Sequence, residues 1–250
     1  ETSMDGTSDA LLKIVSGTAE RFVVKGNSGR SSSSVWSKNS LNPVYVGNGT
    51  LRNSIVTGNF FQDLAPGGAV SIVGRGVVED CEISGNTSKW SQGGYRSTGG
   101  VTVQDGGTLR RCRVINNQRV ASGTLYRACG GVNTYGDNAT VEACVITNNV
   151  AGASYASCIP VAGVLVGKNA VFRNCLIANN RQTDTTVTLR TGGVYLADAG
   201  ALVNCTIYGN SCTQVTNSGI YQVAGTVTNC IAWGNGGKVA GVFEQHDIKK

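Results

Sequence analysis

Three acidic residues, Asp105, Asp137 and Asp198, recur just after similar Gly-Val segments of this chain. Recurring carboxylates could act as the acid–base pair of glycosidic cleavage, which needs two carboxyl groups at a set separation, or as oxygen ligands to Ca²⁺. Each, however, stands among Gly, Asn or Ala, where Asp closes turns with its own side chain, and the turn role is the reading adopted. The single histidine, His246, has no Ser or Cys nucleophile motif beside it, so a Ser-His or Cys-His mechanism is disfavoured. Phosphate-loop, dinucleotide-fingerprint, HExxH and CxxC spacings do not occur, and no metal or organic cofactor is expected.

Nine cysteines are a high count for 250 residues and suggest a disulfide scaffold. Their spacing argues otherwise. Cys81, Cys112, Cys144, Cys175, Cys205 and Cys230 occupy equivalent places in a repeat, with Ser54 in a seventh. If the repeats stack as strands, neighbouring Cβ atoms lie ~4.8 Å apart with parallel vectors, too far for the ~3.5–4.5 Å of a disulfide. The column therefore reads as buried free thiols, and a line of sulfurs is no tetrahedral zinc site. Cys129, Cys158 and Cys212 lie outside it, and a Cys129–Cys158 bridge stays open.

The residues best suited to recognition sit in four insertions: Thr87 to Thr98, Gln118 to Cys129, Val150 to Val161 and Arg181 to Thr191. They carry Trp90, Tyr95, Arg96, Arg119, Tyr126, Arg127, Tyr155, Arg181 and Arg190, with Lys89 also basic and Asp184 the single acid. Aromatic rings stack on sugars, and guanidinium groups pair with carboxylate or sulfate. The net charge of +6 agrees with an anionic partner. The competing reading is that the aromatics fold back over the body as covers and the arginines are merely solvated. Tyr195, Tyr221 and Phe243, with Tyr208 and Trp233 on another face, form a second aromatic group. No dense basic run or nucleic-acid-binding module appears, and no apolar run approaches the ~20 residues of a membrane span.

What must position these residues is a repeat. Gly makes up 35 of 250 residues without a three-residue period, and only 14% are charged, which argues against collagen and against disorder. Seven segments align: Asn53-SIVTG-Asn59, Asp80-CEISG-Asn86, Arg111-CRVIN-Asn117, Ala143-CVITN-Asn149, Asn174-CLIAN-Asn180, Asn204-CTIYG-Asn210 and Asn229-CIAWG-Asn235. Successive terminal Asn residues stand 27, 31, 32, 31, 30 and 25 apart. A Gly-Gly-Val type element precedes most of them, as at Gly67-GAV, Gly99-GVTV, Gly130-GVNT and Gly192-GVYL. Apolar residues alternate with period two and leave no room for a helix, so each repeat reads as strand, turn, strand, turn, strand. Short strands that cannot bury a face alone must stack as a solenoid.

Five columns bear on this stacking. The outward position before the Cys column reads Arg52, Glu79, Arg110, Glu142, Arg173, Val203, Thr228. Its sign alternates over five coils, as expected of parallel stacking in register. The inward positions, Leu51 to Val227 and Val56 to Ala232, are apolar throughout. The terminal Asn is expected to bend the chain in the left-handed region and to bond its amide to the next Asn. The outward column of the Gly-Gly-Val strand reads Tyr45, Ser71, Thr102, Asn133, Leu165, Tyr195, Tyr221, Phe243 and holds no carboxylate.

These motifs resemble the right-handed parallel β-helix of the pectate-lyase-like superfold. More narrowly, Gly67-GAV with Ile83-SG-Asn86 and Gly192-GVY with Ile207-YG-Asn210 are similar to the Gly-Gly-Ala-Ile and Phe-x-x-Asn repeats of polymorphic outer-membrane proteins and related bacterial surface proteins. The family's Phe is Ile, Val or Ala here. The expected fold is thus all-β, a single-stranded right-handed parallel β-helix solenoid of seven to eight coils of 25–32 residues with long loops at one corner. Residues 1–41 are expected as an N-terminal cap and irregular first coil, with Asp9 to Val15 covering the stack. Residues 42–250 are expected as the repeats, cut from a longer protein.

The superfold hosts lyases, hydrolases and adhesins alike, so function has to come from the residues. The expectation is a non-catalytic secreted or bacterial cell-surface segment that binds an acidic or neutral polysaccharide or surface glycan. The alternatives are a polysaccharide lyase or glycoside hydrolase, and a purely structural stalk.

Overall fold

The computed structural model describes residues 3–4, 10–30, 42–62, 67–90, 97–121, 127–153, 159–184, 191–213 and 218–236. Among these residues the structure is strands and turns without a helix, and hence without one long and apolar enough to cross a membrane. The strands form four eight-stranded sheets and one of three strands. Every pairing is parallel and joins one coil to the next, as in Val78 with Leu51 and Leu109. Eight coils are therefore stacked.

Coil 1 shows the plan: Leu12–Ile14 on the first face, Thr18–Glu20 on the second, Val23–Lys25 on the third and Ser28–Arg30 on the fourth. In coil 4 the same faces are Val101–Gln104, Thr108–Arg110, Arg113–Ile115 and Gln118–Ala121. Coils 1 to 7 thus have four strands each rather than the three expected. The addition comes from the residues just after the terminal Asn, which open the insertions and stack as Phe60–Gln62, Thr87–Trp90, Gln118–Ala121 and Val150–Ala153. Their composition, such as Thr-Ser-Lys-Trp, lacks apolar alternation, so the periodicity signal passes over them. Leu12–Ile14, inside the segment expected to cover the stack, is itself the first-face strand of coil 1 and pairs with Val44–Val46.

The core is the set of inward columns. Leu51, Val78, Leu109, Val141, Phe172 and Leu202 are fully buried, as are Ile83, Val114, Ile146, Ile177 and Ile207. The Asn column behaves as a continuous hydrogen-bonded ladder. The side-chain amide of each Asn donates to the side-chain oxygen of the next, from Asn27 through Asn59, Asn86, Asn117, Asn149, Asn180 and Asn210 to Asn235, at 2.9–3.1 Å. The backbone N–H of each makes the same donation, and the second amide hydrogen reaches a core-strand carbonyl, as Asn117 does with Ile83 at 2.9 Å. Buried amides are fully used, and aligned dipoles of this kind reinforce one another.

The left-handed residue is not the Asn itself. Positive φ falls one place earlier, at Gly58, Gly85, Asn116, Asn148, Asn179 and Gly209, and again five places before that, at Asn53, Asp80, Arg111, Ala143, Asn174 and Asn204. Leaving the bend to its neighbour frees the Asn side chain to point along the stack. The Gly-Gly motif belongs to the same corner. A Cβ on Gly131 would come within 2.5 Å of the Gly163 carbonyl and 3.1 Å of the Asn149 amide nitrogen. A Cβ on Gly130 would meet the Val150 carbonyl at 2.7 Å. The two glycines let the chain enter the first face against the Asn ladder, so Gly-Gly and Asn are two halves of one packing unit.

Candidate functional site

The basic and aromatic residues proposed for recognition depend on where the insertions leave the body. Three of them return as short stacked strands, Ser97–Thr98, Arg127–Cys129 and Ile159–Val161, which run into the Gly-Gly turns. Val161 continues the register to Thr191. Departure points on the fourth face and return points before the first face therefore stack coil upon coil. The intervening segments, 91–96, 122–126, 154–158 and 185–190, begin and end at one corner, as the insertion lengths imply.

Of the nine proposed residues, Tyr95, Arg96, Tyr126, Tyr155 and Arg190 lie outside the described residues. Trp90 ends the fourth-face strand of coil 3, and Arg127 opens the return strand of coil 4, so the backbone places both at the corner. Arg181 is exposed on the outward side of the fourth face, stacked between Val150 and Ser211. Lys89 and Gln118 are exposed on that face as well.

Arg119 does not belong with them. Its strand alternation turns it inward, in a column with Phe61, Ser88, Ala151 and Gln182, and it is 0% exposed. Its guanidinium donates to the carbonyls of Ser88, at 3.3 Å, and of Val120. A guanidinium that is fully buried and donates through Nη1 to backbone carbonyls is part of the packing and presents no surface to a ligand. Asp184, the acid of the last insertion, is also buried, and its carbonyl accepts from Gln182 and Thr213.

A second correction concerns the first face. Ser71, Thr102, Asn133, Leu165 and Tyr195, read as an outward column, are all 5% exposed or less. Leu165, Tyr195 and Ala197 form a small second core with Cys129 and Val161 of the return segment, and Ile159 and Tyr221 pack against it. Tyr195 stacks on Tyr221 at 5.4 Å between ring centroids. Thr102 bonds Thr98 at 3.1 Å. The return strands, not expected from the sequence, bring this cover into place. Tyr208 and Trp233 remain exposed, in adjacent coils of the third face, and Phe243 lies outside the described residues.

The charged column of the second face takes the expected pairing and extends one coil further, to Glu20. Arg52 meets Glu20 at 2.6 Å, Arg110 meets Glu79 at 2.7 Å and Arg173 meets Glu142 at 2.9 Å. Arg111 adds a clamp to Glu79 and Asp80, at 2.8 and 2.7 Å. Hydrogen bonding to Arg110, and then to Arg111, holds the Glu79 carboxyl below its ordinary range against the opposing effect of burial. The Arg111 hydrogen bond does the same for Asp80. A general acid of glycosidic cleavage needs the reverse shift, so these carboxylates are unsuited to that role.

The turn aspartates also have structural partners. Asp137 pairs with Lys168 at 3.1 Å, and the Asp105 carboxylate lies over Gly136, where a Cβ would be 2.0 Å away. Among the described residues no group of three His, Cys, Asp or Glu side chains could hold a metal ion.

The thiol column is reduced and packed. Each sulfur donates to the carbonyl two residues earlier, at 3.1 Å for Cys81 to Glu79 and 3.2 Å for Cys144 to Glu142. Ser54 makes the same bond to Arg52 at 2.8 Å, which explains its place in the column. Contact with the Cys175 thiol and burial push Cys205 up to about 11. Burial pushes Cys129 up to about 12, and it too is a free thiol, so it closes no bridge. Cys158 lies outside the described residues.

No curated protein and no solved structure matches the chain. The signature of one family, described as a right-handed beta helix region, matches residues 14–163, which are coils 1 to 5 and more than half of the sequence. With eight parallel coils built on that repeat, the chain belongs to the right-handed β-helix family.

Proposed function

We propose that the chain is a non-catalytic segment of a secreted or bacterial cell-surface protein, and that it binds a polysaccharide or surface glycan at the corner of the insertions. The observation that carries this reading is the stacking of four departure points and their returns along one edge. Along that row of stacked edges, at ~4.8 Å per coil, stand Trp90 of coil 3, Arg127 of coil 4 and Arg181 of coil 6. A linear polymer of repeating sugars is the ligand class suited to such a row, with aromatic rings under the sugars and guanidinium groups beside carboxylate or sulfate. The net charge of +6 favours an acidic glycan over a neutral one.

The test is retention of the purified chain in native gels cast with acidic or neutral polysaccharide. Trp90→Ala and Arg127→Ala are expected to lose retention in the acidic gel while melting as the parent does. Arg119→Ala should behave oppositely: retention per folded molecule unchanged, and stability lower by roughly 3 kcal/mol, because it empties a buried site and orphans backbone carbonyls. Retention untouched by either Trp90→Ala or Arg127→Ala would remove the corner from the account.

A further inference from the structure

The outward charges of the second face form an even, alternating column: Glu20, Arg52, Glu79, Arg110, Glu142 and Arg173, one from each of coils 1 to 6 and in register. Such a column is its own complement. Turned end over end about an axis in the face and parallel to its strands, between coils 3 and 4, it sets Arg173 opposite Glu20, Glu142 opposite Arg52 and Arg110 opposite Glu79. Every charge meets its opposite. The flanking columns obey the same axis. In the turn beside the charges stand Arg21, Asn53, Asp80, Arg111, Ala143 and Asn174, where Asp80 falls opposite Arg111 and Arg21 opposite the neutral Asn174. On the other side Thr18, Thr50, Val77, Thr108, Thr140 and Val171 oppose one β-branched residue to another.

We propose that the second face docks a second copy of this chain, in an isologous antiparallel pair whose two-fold axis runs between coils 3 and 4. The arginines stand 47, 42 and 49% exposed at Arg52, Arg110 and Arg173, and a guanidinium has five donors, so each can serve a second carboxylate across the interface. A polyanion or polycation would find acids and arginines interleaved along the face and gain little from it. A column of the same alternation gains at every step. The column spans about 24 Å, and three residues of width give an area below the ~1,200 Å² of stable complexes. The pair is therefore transient, concentration-dependent and salt-sensitive.

Sedimentation equilibrium over protein and salt concentration tests this, with two charge-swapped variants. Exchanging Glu20→Arg and Arg52→Glu keeps an ion pair within the chain. Across the axis, however, the new arginine at position 20 faces Arg173 and the new glutamate at position 52 faces Glu142. Adding Glu142→Arg and Arg173→Glu restores opposition at all six places, while leaving more like-charged neighbours within each chain. The parent is expected to dimerise reversibly, with at least ~tenfold weaker association between about 0.05 and 0.5 M salt. The two-residue swap should weaken association at least tenfold, and the four-residue swap should recover it, a reversal that in-chain stability cannot produce. A parent that is monomeric throughout, or a two-residue swap that associates as tightly as the parent, overturns the proposal. Should a variant fail to fold, the salt dependence of the parent decides alone: salt-independent association contradicts an interface built on this column.

Discussion

At the residue scale, one side chain per coil does several jobs. Asn149 accepts from the backbone and side-chain amides of Asn117 and donates to Val114 and Asn180, all while fully buried. Asn149→Ala leaves two buried donors of Asn117 without their acceptor, takes one donor from the Val114 carbonyl and leaves Asn180 with the backbone donor alone, and a loss of roughly 3–5 kcal/mol is expected in denaturant unfolding. The thiols add a pH dependence. Folded-state values raised to about 11 at Cys205 and about 12 at Cys129 favour the protonated form. Their contribution is fully present below the unfolded thiol range of ~8.5 and is lost as pH rises toward the folded values. Melting temperature should therefore fall as pH climbs from about 9 to 11, whereas a flat profile would contradict buried, protonated thiols at Cys205 and Cys129. The Cys column and its reduced state were legible in the sequence from spacing alone. The assignment of the bend to the Asn was not, because Asn148 and Asn149 are the same residue type, and nothing in composition says which takes the left-handed conformation.

At the element scale, the Gly-Gly turn and the Asn ladder lock each coil to the next. Gly131→Ala would drive a Cβ into the Gly163 carbonyl and to 2.9 Å from Ile146, neither of which can retreat from a stacked core. A loss of about 1–3 kcal/mol with the m-value unchanged is the expected outcome in a denaturant titration, and an unchanged midpoint would show that the corner is loosely packed. Three of the four faces were legible because apolar alternation marks them. The fourth was not: in Gln118–Ala121 the inward residue is Arg119, so the hydrophobic signal that identifies a strand is replaced by a buried guanidinium. The same substitution made Arg119 look like a surface ligand. The burial of the first face was likewise hidden, since Ser71, Thr102 and Asn133 read as solvent-facing in the sequence, whereas the structure buries all three and sets Thr102 against Thr98 of a return strand.

At the scale of the whole molecule, the rod divides its outer surface by role. The second face carries paired, alternating charges, the third face leaves Tyr208 and Trp233 exposed, and the corner between the fourth and first faces sends out the insertions. The stacking of coils was legible from end to end, because the apolar inward columns of three faces recur in coil after coil. The site was legible only as a place, because loop residues have no repeat to check them against and stacking alone fixes where the loops begin and end.

The most direct test of the central claim is the mobility of the parent chain in native gels containing an acidic polysaccharide, at low and at moderate salt. The account predicts retardation that weakens as salt rises, with little in a neutral gel. Equal mobility in every gel would contradict it and leave the rod as a structural stalk.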